Sequence, residues 1–298
     1  MTTEAPAGTP VRMSAVIRRA GDYLAAHGVQ SPRATAEALL MYLLGTDRAG
    51  LYSRSEGLDT RAARLFGRAL CQRCHGIPVE YLTGRQQFMD LTLGVAPGVF
   101  VPRPETEGLV EAAVEAVAGR SGPVVVDVGT GTGAVALAIK HLRPDAAVWA
   151  TDVSQAAVTL ATSNALRHSL DVDVRLGDLL GPIPEAVRGE VDLVVSNPPY
   201  VAREAYDSLP EEVKAEPYEA LVGGTRFHRR LVSESPDWLR PGGWLVVEIG
   251  DDQGPEVRSV FEAGLVEVEV LPDLAGRDRV VRGRLPGATP GATSADGS

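Results

Sequence analysis

The sequence predicts an α/β protein in which a mostly parallel, seven-stranded sheet follows a small α-helical N-terminal domain. Three observations predict this fold class. From residue 123 onward, apolar strand-like runs alternate with helical segments; residues 11–75 show helical spacing alone; and a β-rich stretch punctuated by glycine and proline lies between them. Such alternation is typical of a parallel sheet covered on both faces. Ligands bind these sheets at the carboxyl ends of the strands, so we expect the functional site there.

The length and composition of the chain are those of a globular protein. Its 298 residues are enough for two domains, 44% are hydrophobic and mean hydropathy is near zero. No run approaches the ~20 apolar residues of a membrane span, and residues 1–10 lack the pattern of a secretory signal. The net charge of −10 argues against binding duplex nucleic acid, which usually requires a basic face. We therefore expect a cytoplasmic protein with a protein or small-molecule substrate, no membrane partner and no direct nucleic-acid binding.

The two cysteines, Cys71 and Cys74, precede His75 in a C-x-x-C-H run that matches the c-type haem attachment pattern. Haem attachment occurs in exported proteins, and this run lies inside a predicted helix. A zinc site needs about two further ligands nearby, and the sequence offers no obvious ones. We interpret both cysteines as reduced and structural, and we expect no metal.

The N-terminal helices are predicted over 13–28, 33–45 and 59–74 from the spacing of apolar residues. Ser31 is a candidate cap of the second helix, and Pro32 suits its first turn. The β-rich stretch that follows is interpreted as a hairpin between two domains. The predicted divisions are a disordered lead (1–10), a helical docking domain (11–84), a β-hairpin linker (85–103), an α/β domain (104–285) and a disordered tail (286–298).

Within the α/β domain, helices are predicted over 134–142 and 155–169, after the first and second strands. Residues whose side chains could bind a ligand or take part in catalysis lie at or near the ends of the first four strands. A parallel sheet brings these strand ends to one edge. The strands are predicted at 124–128, 148–151, 172–176, 191–196, 244–250, 266–271 and 279–285, the last two as an antiparallel pair.

A glycine-rich loop, Gly129-Thr130-Gly131-Thr132-Gly133, follows the first strand and opens a helix. Glycines let the backbone turn sharply and approach a ligand closely. Asp152 ends the second strand, where its carboxylate can accept hydrogen bonds from both hydroxyls of a ribose. Asp127, inside the first strand, can orient the loop or meet an ammonium group, because an unpaired acid there is costly. Asp178 can bind an adenine amino group while Leu179 packs on the ring.

The glycines alone do not determine which nucleotide binds to this loop. Gly129, Gly131 and Ala134 also satisfy the dinucleotide pattern G-x-G-x-x-G/A, and an acid at the second strand end suits NAD equally well. Asp127 and Asp178 favour a ligand that carries both an ammonium group and an adenine. A structural turn without a ligand is the remaining alternative.

The tetrapeptide Asn197-Pro198-Pro199-Tyr200, at the end of the fourth strand, is the most informative motif. The Asn197 side-chain oxygen and the Pro198 carbonyl are acceptors, and the prolines hold the turn rigid without adding an N–H donor. Two convergent acceptors beside the flat face of Tyr200 suit a planar NH2 group. Accepting both of its protons favours lone-pair character on the nitrogen, so positioning and electrostatics can carry an in-line methyl transfer. The motif favours an N-methyltransferase that needs neither a metal nor a nucleophilic side chain, and a purely structural Pro-rich turn is the alternative.

The glycine loop, Asp152 and the Asn-Pro-Pro-Tyr motif together resemble class I methyltransferases, Rossmann-like enzymes, acting on nitrogen. Nucleic-acid adenine-N6 and guanine-N2 methyltransferases share the tetrapeptide, so the motif leaves the substrate open. Other segments closely resemble the peptide chain release factor glutamine methyltransferases, the HemK/PrmC family, over roughly residues 11–285. These segments are P-V-E-Y-L-T-G (78–84), Q-Q-F (86–88), F-V-P-R-P-E-T-E (100–107), E-P-Y-E-A-L (216–221) and D-L-A-G-R-D-R-V (273–280).

The resemblance implies S-adenosylmethionine as cofactor and a bacterial class I release factor as protein substrate. The implied reaction methylates N5 of the glutamine in the Gly-Gly-Gln loop of that factor. By resemblance, the glycine loop, Asp152 and Leu179 bind the cofactor, Asn197 contacts both cofactor and substrate, and Asn197 to Tyr200 hold the glutamine amide. The residues implied to wall the pocket are Phe100, Arg103, Pro104 and Thr106.

One segment departs from the family pattern. After Ala-Leu the family usually shows Gly, any residue, then Asp-Gly-Leu, whereas here Gly223-Gly224-Thr225 is followed by Arg226-Phe227-His228. The segment lies downstream of the tetrapeptide, so the departure bears on the substrate more than on the chemistry. Two alternatives follow: a related N-methyltransferase acting on a different amide or amine, in a small molecule, another protein or a nucleic-acid base, and a non-catalytic binding module.

Overall fold

A computed structural model of the chain describes residues 12–287. The predicted disordered lead, 1–10, and most of the predicted tail, 286–298, lie outside these residues. The described chain divides into two compact units, and one of them is discontinuous in sequence. The first unit comprises 12–84 and Leu209–Ala215, and the second comprises Arg85–Ser208 and 216–287.

Helices and strands alternate along the chain after a purely helical beginning. The helices are α1 (Met13–Ala26), α2 (Pro32–Leu44), α3 (Arg48–Ser53), α4 (Thr60–Cys74), α5 (Val79–Thr83), α6 (Glu107–Ala116), α7 (Ala134–Leu142), α8 (Gln155–His168), α9 (Glu211–Lys214), α10 (Tyr218–Leu221), α11 (Arg226–Glu234) and α12 (Gly254–Glu262). The strands are β1 (Arg85–Phe88), β2 (Leu91–Gly94), β3 (Val124–Val128), β4 (Ala147–Asp152), β5 (Val172–Leu176), β6 (Val191–Ser196), β7 (Leu239–Glu248), β8 (Val266–Pro272) and β9 (Asp278–Arg284).

The first unit packs the apolar faces of α1, α2 and α4 around one core, to which Ile17, Leu40 and Phe66 contribute. It is completed by α9, a turn from much later in the chain. Arg73 on α4 is buried and forms an ion pair with Glu212 of α9. The carboxylate supplies the partner that a buried guanidinium requires. The first unit is therefore built from two separate stretches of sequence.

The second unit contains a seven-stranded sheet in the order β5-β4-β3-β6-β7-β9-β8. Strands β3 to β7 pair in parallel, and β9 pairs antiparallel with both β7 and β8. Separate apolar clusters cover the two faces, and every residue of β6 is buried. The predicted fold class, with its final antiparallel pair, is confirmed. Because the chain runs from β3 toward β5 on one side and from β6 toward β7 on the other, the topological switch point lies between β3 and β6.

Several local predictions need correction or completion. Ser31 makes no capping hydrogen bond from its side chain, because its backbone is left-handed, with φ of 46°. Asp59, in contrast, caps α4 by accepting from the Ala62 amide at 2.7 Å. Ahead of α6, Pro104 begins a single 3-10 turn, and the α-helix itself starts at Glu107. Within residues 12–287 no helix is long and apolar enough to cross a membrane.

Candidate active site

The glycine loop after β3 has the backbone of a ligand cradle. Gly129, Gly131 and Gly133 have φ of 73°, 57° and 85°, in the left-handed region that favours glycine. A Cβ placed on Gly129 or Gly131 would meet no atom within 4 Å, so this side of the loop is open. A Cβ on Gly133 would instead press on Leu137 and Ala161, at 3.1 and 3.2 Å. The first two glycines thus leave room for a bound group, and the third allows close helix packing.

Asp127, inside β3, orients this loop. Its carboxylate is 1% exposed and accepts hydrogen bonds from the Thr130 hydroxyl at 2.6 Å and the Ala136 amide at 3.1 Å. Burial raises its pKa to about 7, and the nearby charge of Asp152 adds to the rise. Of the two predicted roles, the structure displays the orientation of the loop, and contact with an ammonium group stays a prediction.

Asp152 ends β4 beside the loop. Its Oδ2 accepts from the Gly131 amide at 2.9 Å, and its Oδ1 accepts from the Ser154 amide at 2.8 Å. Burial raises the pKa of this carboxyl group as well. Each carboxylate oxygen can accept a further bond, so the group fits a pair of ribose hydroxyls.

Asp178 and Leu179 follow β5 at the same edge of the sheet. Both carboxylate oxygens of Asp178 accept from the Arg230 guanidinium, at 3.1 and 2.8 Å, which holds the acid in one orientation. Leu179 is buried with φ of 44°, and its carbonyl accepts from the Thr151 hydroxyl at 2.8 Å. Contact of these residues with adenine stays a prediction.

A buried asparagine joins the hairpin to the glycine loop. Asn164 on α8 is fully buried and accepts from the Gly94 amide at 2.7 Å through Oδ1. Its Nδ2 donates to the carbonyls of Gly94 at 3.0 Å and Thr132 at 2.9 Å. All the hydrogen-bonding capacity of the amide except one lone pair is therefore used to hold two separate segments together.

Asn197 begins the Asn-Pro-Pro-Tyr corner directly after β6. Its Nδ2 donates to the Thr106 hydroxyl at 3.1 Å, and Thr106 belongs to the 3-10 turn begun by Pro104. With Nδ2 used in this way, Oδ1 is the atom that can accept from a substrate amide. The structure thereby brings together two motifs separated by 91 residues in sequence.

Tyr200 is the last residue of the Asn-Pro-Pro-Tyr corner, and hydrogen bonds hold both its hydroxyl and its backbone carbonyl. Its hydroxyl donates to Oε1 of Glu248 at 3.3 Å, and its carbonyl accepts from the Gln253 side chain at 2.9 Å. Glu248 is the last residue of β7 and is 1% exposed. Burial raises its pKa to about 7. No local sequence pattern indicated Glu248 as part of the site.

The predicted pocket wall is held by a second acid that no local sequence pattern indicated. Glu216 has a fully buried side chain that forms an ion pair with Arg103 and accepts from the Val101 amide at 3.0 Å. The Arg103 guanidinium also lies over the Phe100 ring, 5.2 Å from its centroid. Since Pro104 follows directly and opens the turn that holds Thr106, the four predicted wall residues form one continuous segment.

The segment that departs from the family pattern packs against the Asn-Pro-Pro-Tyr corner. A Cβ on Gly223 would lie 2.2 Å from the Pro199 carbonyl oxygen, so only glycine fits there. Phe227 packs against the core, and His228 is fully buried with Nε2 donating to the Glu248 carbonyl at 2.9 Å. Arg226 is exposed, and its guanidinium lies over the Phe227 ring. Of the three residues that depart from the family pattern, Phe227 and His228 therefore pack in the interior, and Arg226 lies at the surface.

Comparison with known proteins identifies the family. Residues 91–271 match the Methyltransferase small domain, and residues 15–84 match the PrmC N-terminal domain. The release factor glutamine methyltransferase of Moorella thermoacetica is 43% identical over 86% of this chain and 92% of the relative. The enzymes of the same name from Xylella fastidiosa strain 9a5c and Mycolicibacterium smegmatis are 45% and 41% identical, over 86% and 91% of this chain and 94% and 96% of the relatives. The chain belongs to the release factor glutamine methyltransferase family.

Membership of the release factor glutamine methyltransferase family confirms the predicted resemblance, the methyltransferase class and S-adenosylmethionine as cofactor. Among solved structures, the 16S rRNA N2 G1207 methyltransferase of T. Thermophilus, in complex with AdoMet and guanosine, aligns with a TM-score of 0.50. It is 21% identical and covers 67% of this chain and 49% of its own. That likeness concerns the fold alone. The roles of the individual site residues and of the helical docking domain stay predictions.

Proposed function

We propose that this enzyme transfers the methyl group of S-adenosylmethionine to the side-chain amide nitrogen, N5, of the glutamine in the Gly-Gly-Gln loop of a class I release factor. The orientation of Asn197 carries the proposal. Because its Nδ2 donates to the Thr106 hydroxyl, Oδ1 is the atom that stays available to accept a hydrogen bond. An acceptor oxygen is what an NH2 group requires. The names of the relatives, which specify release factor glutamine, support the choice of substrate.

The residues around the glycine loop fit S-adenosylmethionine. The open side of Gly129 and Gly131 gives room for the ligand, Asp152 offers acceptors to a ribose, and Asp127 is a carboxylate near an expected ammonium group. When bound, the cofactor supplies a methyl group made electrophilic by its sulfonium. The proposed cofactor-binding residues are Asp127, Gly129, Thr130, Gly131, Thr132, Gly133, Asp152, Asp178, Leu179 and Asn197.

The substrate amide is activated by hydrogen-bond acceptance in this proposal. Asn197 Oδ1 and the Pro198 carbonyl accept the two amide protons, while Tyr200 provides a flat wall. An amide lone pair is ordinarily delocalised, and holding both protons in fixed directions aims it at the methyl group. As the N–C bond would form and the C–S bond would break, the nitrogen would release one proton to solvent. That proton becomes acidic only as the new bond forms, so a strong base is not required. The proposed substrate-binding residues are Phe100, Arg103, Pro104, Thr106, Asn197, Pro198, Pro199 and Tyr200.

Methyl-labelled S-adenosylmethionine and a purified class I release factor test the proposal. We expect label on the wild-type factor and none on a factor whose loop glutamine is replaced by alanine. Equal labelling of both factors would contradict the proposed site. Labelling of neither, with cofactor binding intact, would favour another amide or amine as the substrate.

Replacing Asn197 with alanine tests the chemistry separately from cofactor binding. We expect the affinity for S-adenosylmethionine, measured by calorimetry, to stay largely intact. Turnover should fall ~100-fold or more, the scale seen when a polar contact to a reacting group is lost. Unchanged turnover would remove Asn197 from the mechanism.

A further inference from the structure

The turn that follows β7 is closed by Gln253, the residue that precedes α12. The backbone N–H of Gln253 donates to the Gly250 carbonyl at 3.0 Å, and its side-chain Oε1 accepts from the Gly250 amide at 3.0 Å. The Gln253 carbonyl in turn accepts from the Val257 amide at 3.0 Å, at the start of α12. These bonds fix the place from which the Gln253 side chain extends.

The other end of the same side-chain amide reaches the Asn-Pro-Pro-Tyr corner. Nε2 of Gln253 donates to the Tyr200 carbonyl at 2.9 Å, across 53 residues of sequence. The partners fix both directions, because a carbonyl only accepts and a backbone amide only donates. A rotated amide would set two donors against each other at Gly250 and two acceptors against each other at Tyr200. The Gln253 amide therefore has a single satisfactory orientation.

This bond holds the corner at its last peptide unit. Within the corner, the two proline rings fix φ of the central residues. Directly after the corner, the Val201 amide donates to the Leu221 carbonyl at 2.8 Å, and the Val201 carbonyl accepts from the Gly223 amide at 3.1 Å. The Tyr200 carbonyl lies between these restraints, and Gln253 binds it there.

Movement of the Tyr200 peptide would reach the proposed acceptor of the substrate. The Pro198 carbonyl lies two peptide units earlier, and the prolines cannot absorb a rotation through φ because their rings fix it. The Tyr200 ring would move with the same peptide, since its hydroxyl bond to Glu248 is long at 3.3 Å. A displacement of about 1 Å at a reacting group can lower the rate about 100-fold.

We propose that Gln253 is a positioning residue for methyl transfer, whose side-chain amide holds the Tyr200 carbonyl and thereby the Pro198 carbonyl that accepts from the substrate. The inference rests on the proposed function. It assigns the effect to the donor, Nε2, whereas Oε1 closes the turn at Gly250. Substitution can separate the two atoms, because an ionised glutamate has the shape of glutamine, keeps the acceptor and lacks the donor.

The test compares Gln253→Glu with wild type in the full chain at about pH 8, where the introduced carboxyl group is ionised. Wild-type labelling of the release factor is established first, which distinguishes failure of the proposed function from failure of this inference. We expect kcat to fall roughly 10-fold or more, with the Kd of S-adenosylmethionine within about twofold of wild type. A general loosening of the fold would change both quantities.

Gln253→Met removes the donor without adding a charge, and it provides a second measurement should Gln253→Glu fail to fold. Its kcat should fall by a similar factor. The matched control is Gln87→Glu. On β1, Gln87 Nε2 donates to the Met89 carbonyl at 2.7 Å and Oε1 accepts from the Thr92 hydroxyl at 2.9 Å. This control loses a donor of the same kind, and its kcat should stay within about twofold of wild type.

Three results would each overturn the inference. The first is wild-type kcat in either Gln253 variant, which would show that the bond to Tyr200 does not affect the chemistry. The second is a loss of S-adenosylmethionine affinity as large as the loss of kcat. The third is an equal loss of kcat in Gln87→Glu, because the effect would then not depend on the corner.

Discussion

Replacing Glu248 with glutamine should change the pH dependence of stability. Burial raises the pKa of this carboxyl group from its ordinary 4.5 to about 7. The folded chain therefore retains a proton that the unfolded chain releases between those values. The stability associated with the raised pKa is fully present below about pH 4.5 and is lost as the pH rises through about 7.

The magnitude follows from the difference between the two pKa values. From 4.5 to about 7 the difference is about 2.5, which corresponds to about 3 kcal/mol at 1.36 kcal/mol for each pKa unit. Glutamine does not titrate, so the free energy of unfolding of Glu248→Gln should rise relative to wild type by about 3 kcal/mol between acidic and alkaline pH. The buried NH2 group adds a constant cost that cancels in this comparison. Asp127 titrates over a similar range in both proteins and cancels too.

Urea unfolding of both proteins at several pH values between about 4.5 and 8.5 measures this difference. The matched control is Glu256→Gln. Glu256 is exposed, and hydrogen bonds from Thr225 and Arg229 lower its pKa, so the group stays ionised in both the folded and the unfolded chain over nearly all of this range. Its substitution should therefore destabilise the protein by a largely constant amount across these pH values. A stability difference for Glu248→Gln that stays constant across the range would refute the reasoning.

Two further predictions concern contacts that shape the site. Asn164→Ala should lower the free energy of unfolding, measured in urea, by about 2–4 kcal/mol, because it leaves the buried amide and carbonyl of Gly94 unpaired. It should also weaken S-adenosylmethionine binding in calorimetry. Unchanged stability would contradict this prediction. Gly223→Ala should lower turnover about 100-fold because its Cβ displaces the Pro199 carbonyl. Gly119→Ala serves as the control, because a Cβ there meets no atom within 4 Å. Equal turnover in the two variants would contradict the prediction.

The fold was predictable where a local pattern repeats. The apolar strands and the amphipathic α4 follow from periodicity in consecutive residues, and so does the antiparallel pair of β8 and β9. The Ser31 cap was wrong because capping requires an extended backbone, and the chain instead adopts a left-handed conformation there. The six-residue α3 escaped prediction because one and a half turns are too short to establish a helical period.

The placement of the candidate site residues was predictable where they follow strand ends directly, while their roles stay predictions. The missed side chains act through partners far away in sequence: Glu216 lies 113 residues from Arg103, and Glu248 lies 48 residues from Tyr200. Such pairs leave no local pattern. Glu248 nevertheless had a usable signal, since it is an acid within an apolar strand, the same observation that singled out Asp127.

The contribution of α9 to the first unit restricts how the helical region can be transplanted. A fragment ending at Gly84 would keep the buried Arg73 but lack Glu212, leaving a cation without its counter-ion. It would also lose the backbone of Glu211, against which Gly76 packs so closely that a Cβ would lie 2.9 Å from the Glu211 Cβ. A chimera that exchanges helical regions between relatives therefore has to carry residues 209–215 as well, and a single crossover point at the hairpin would not transfer an intact module.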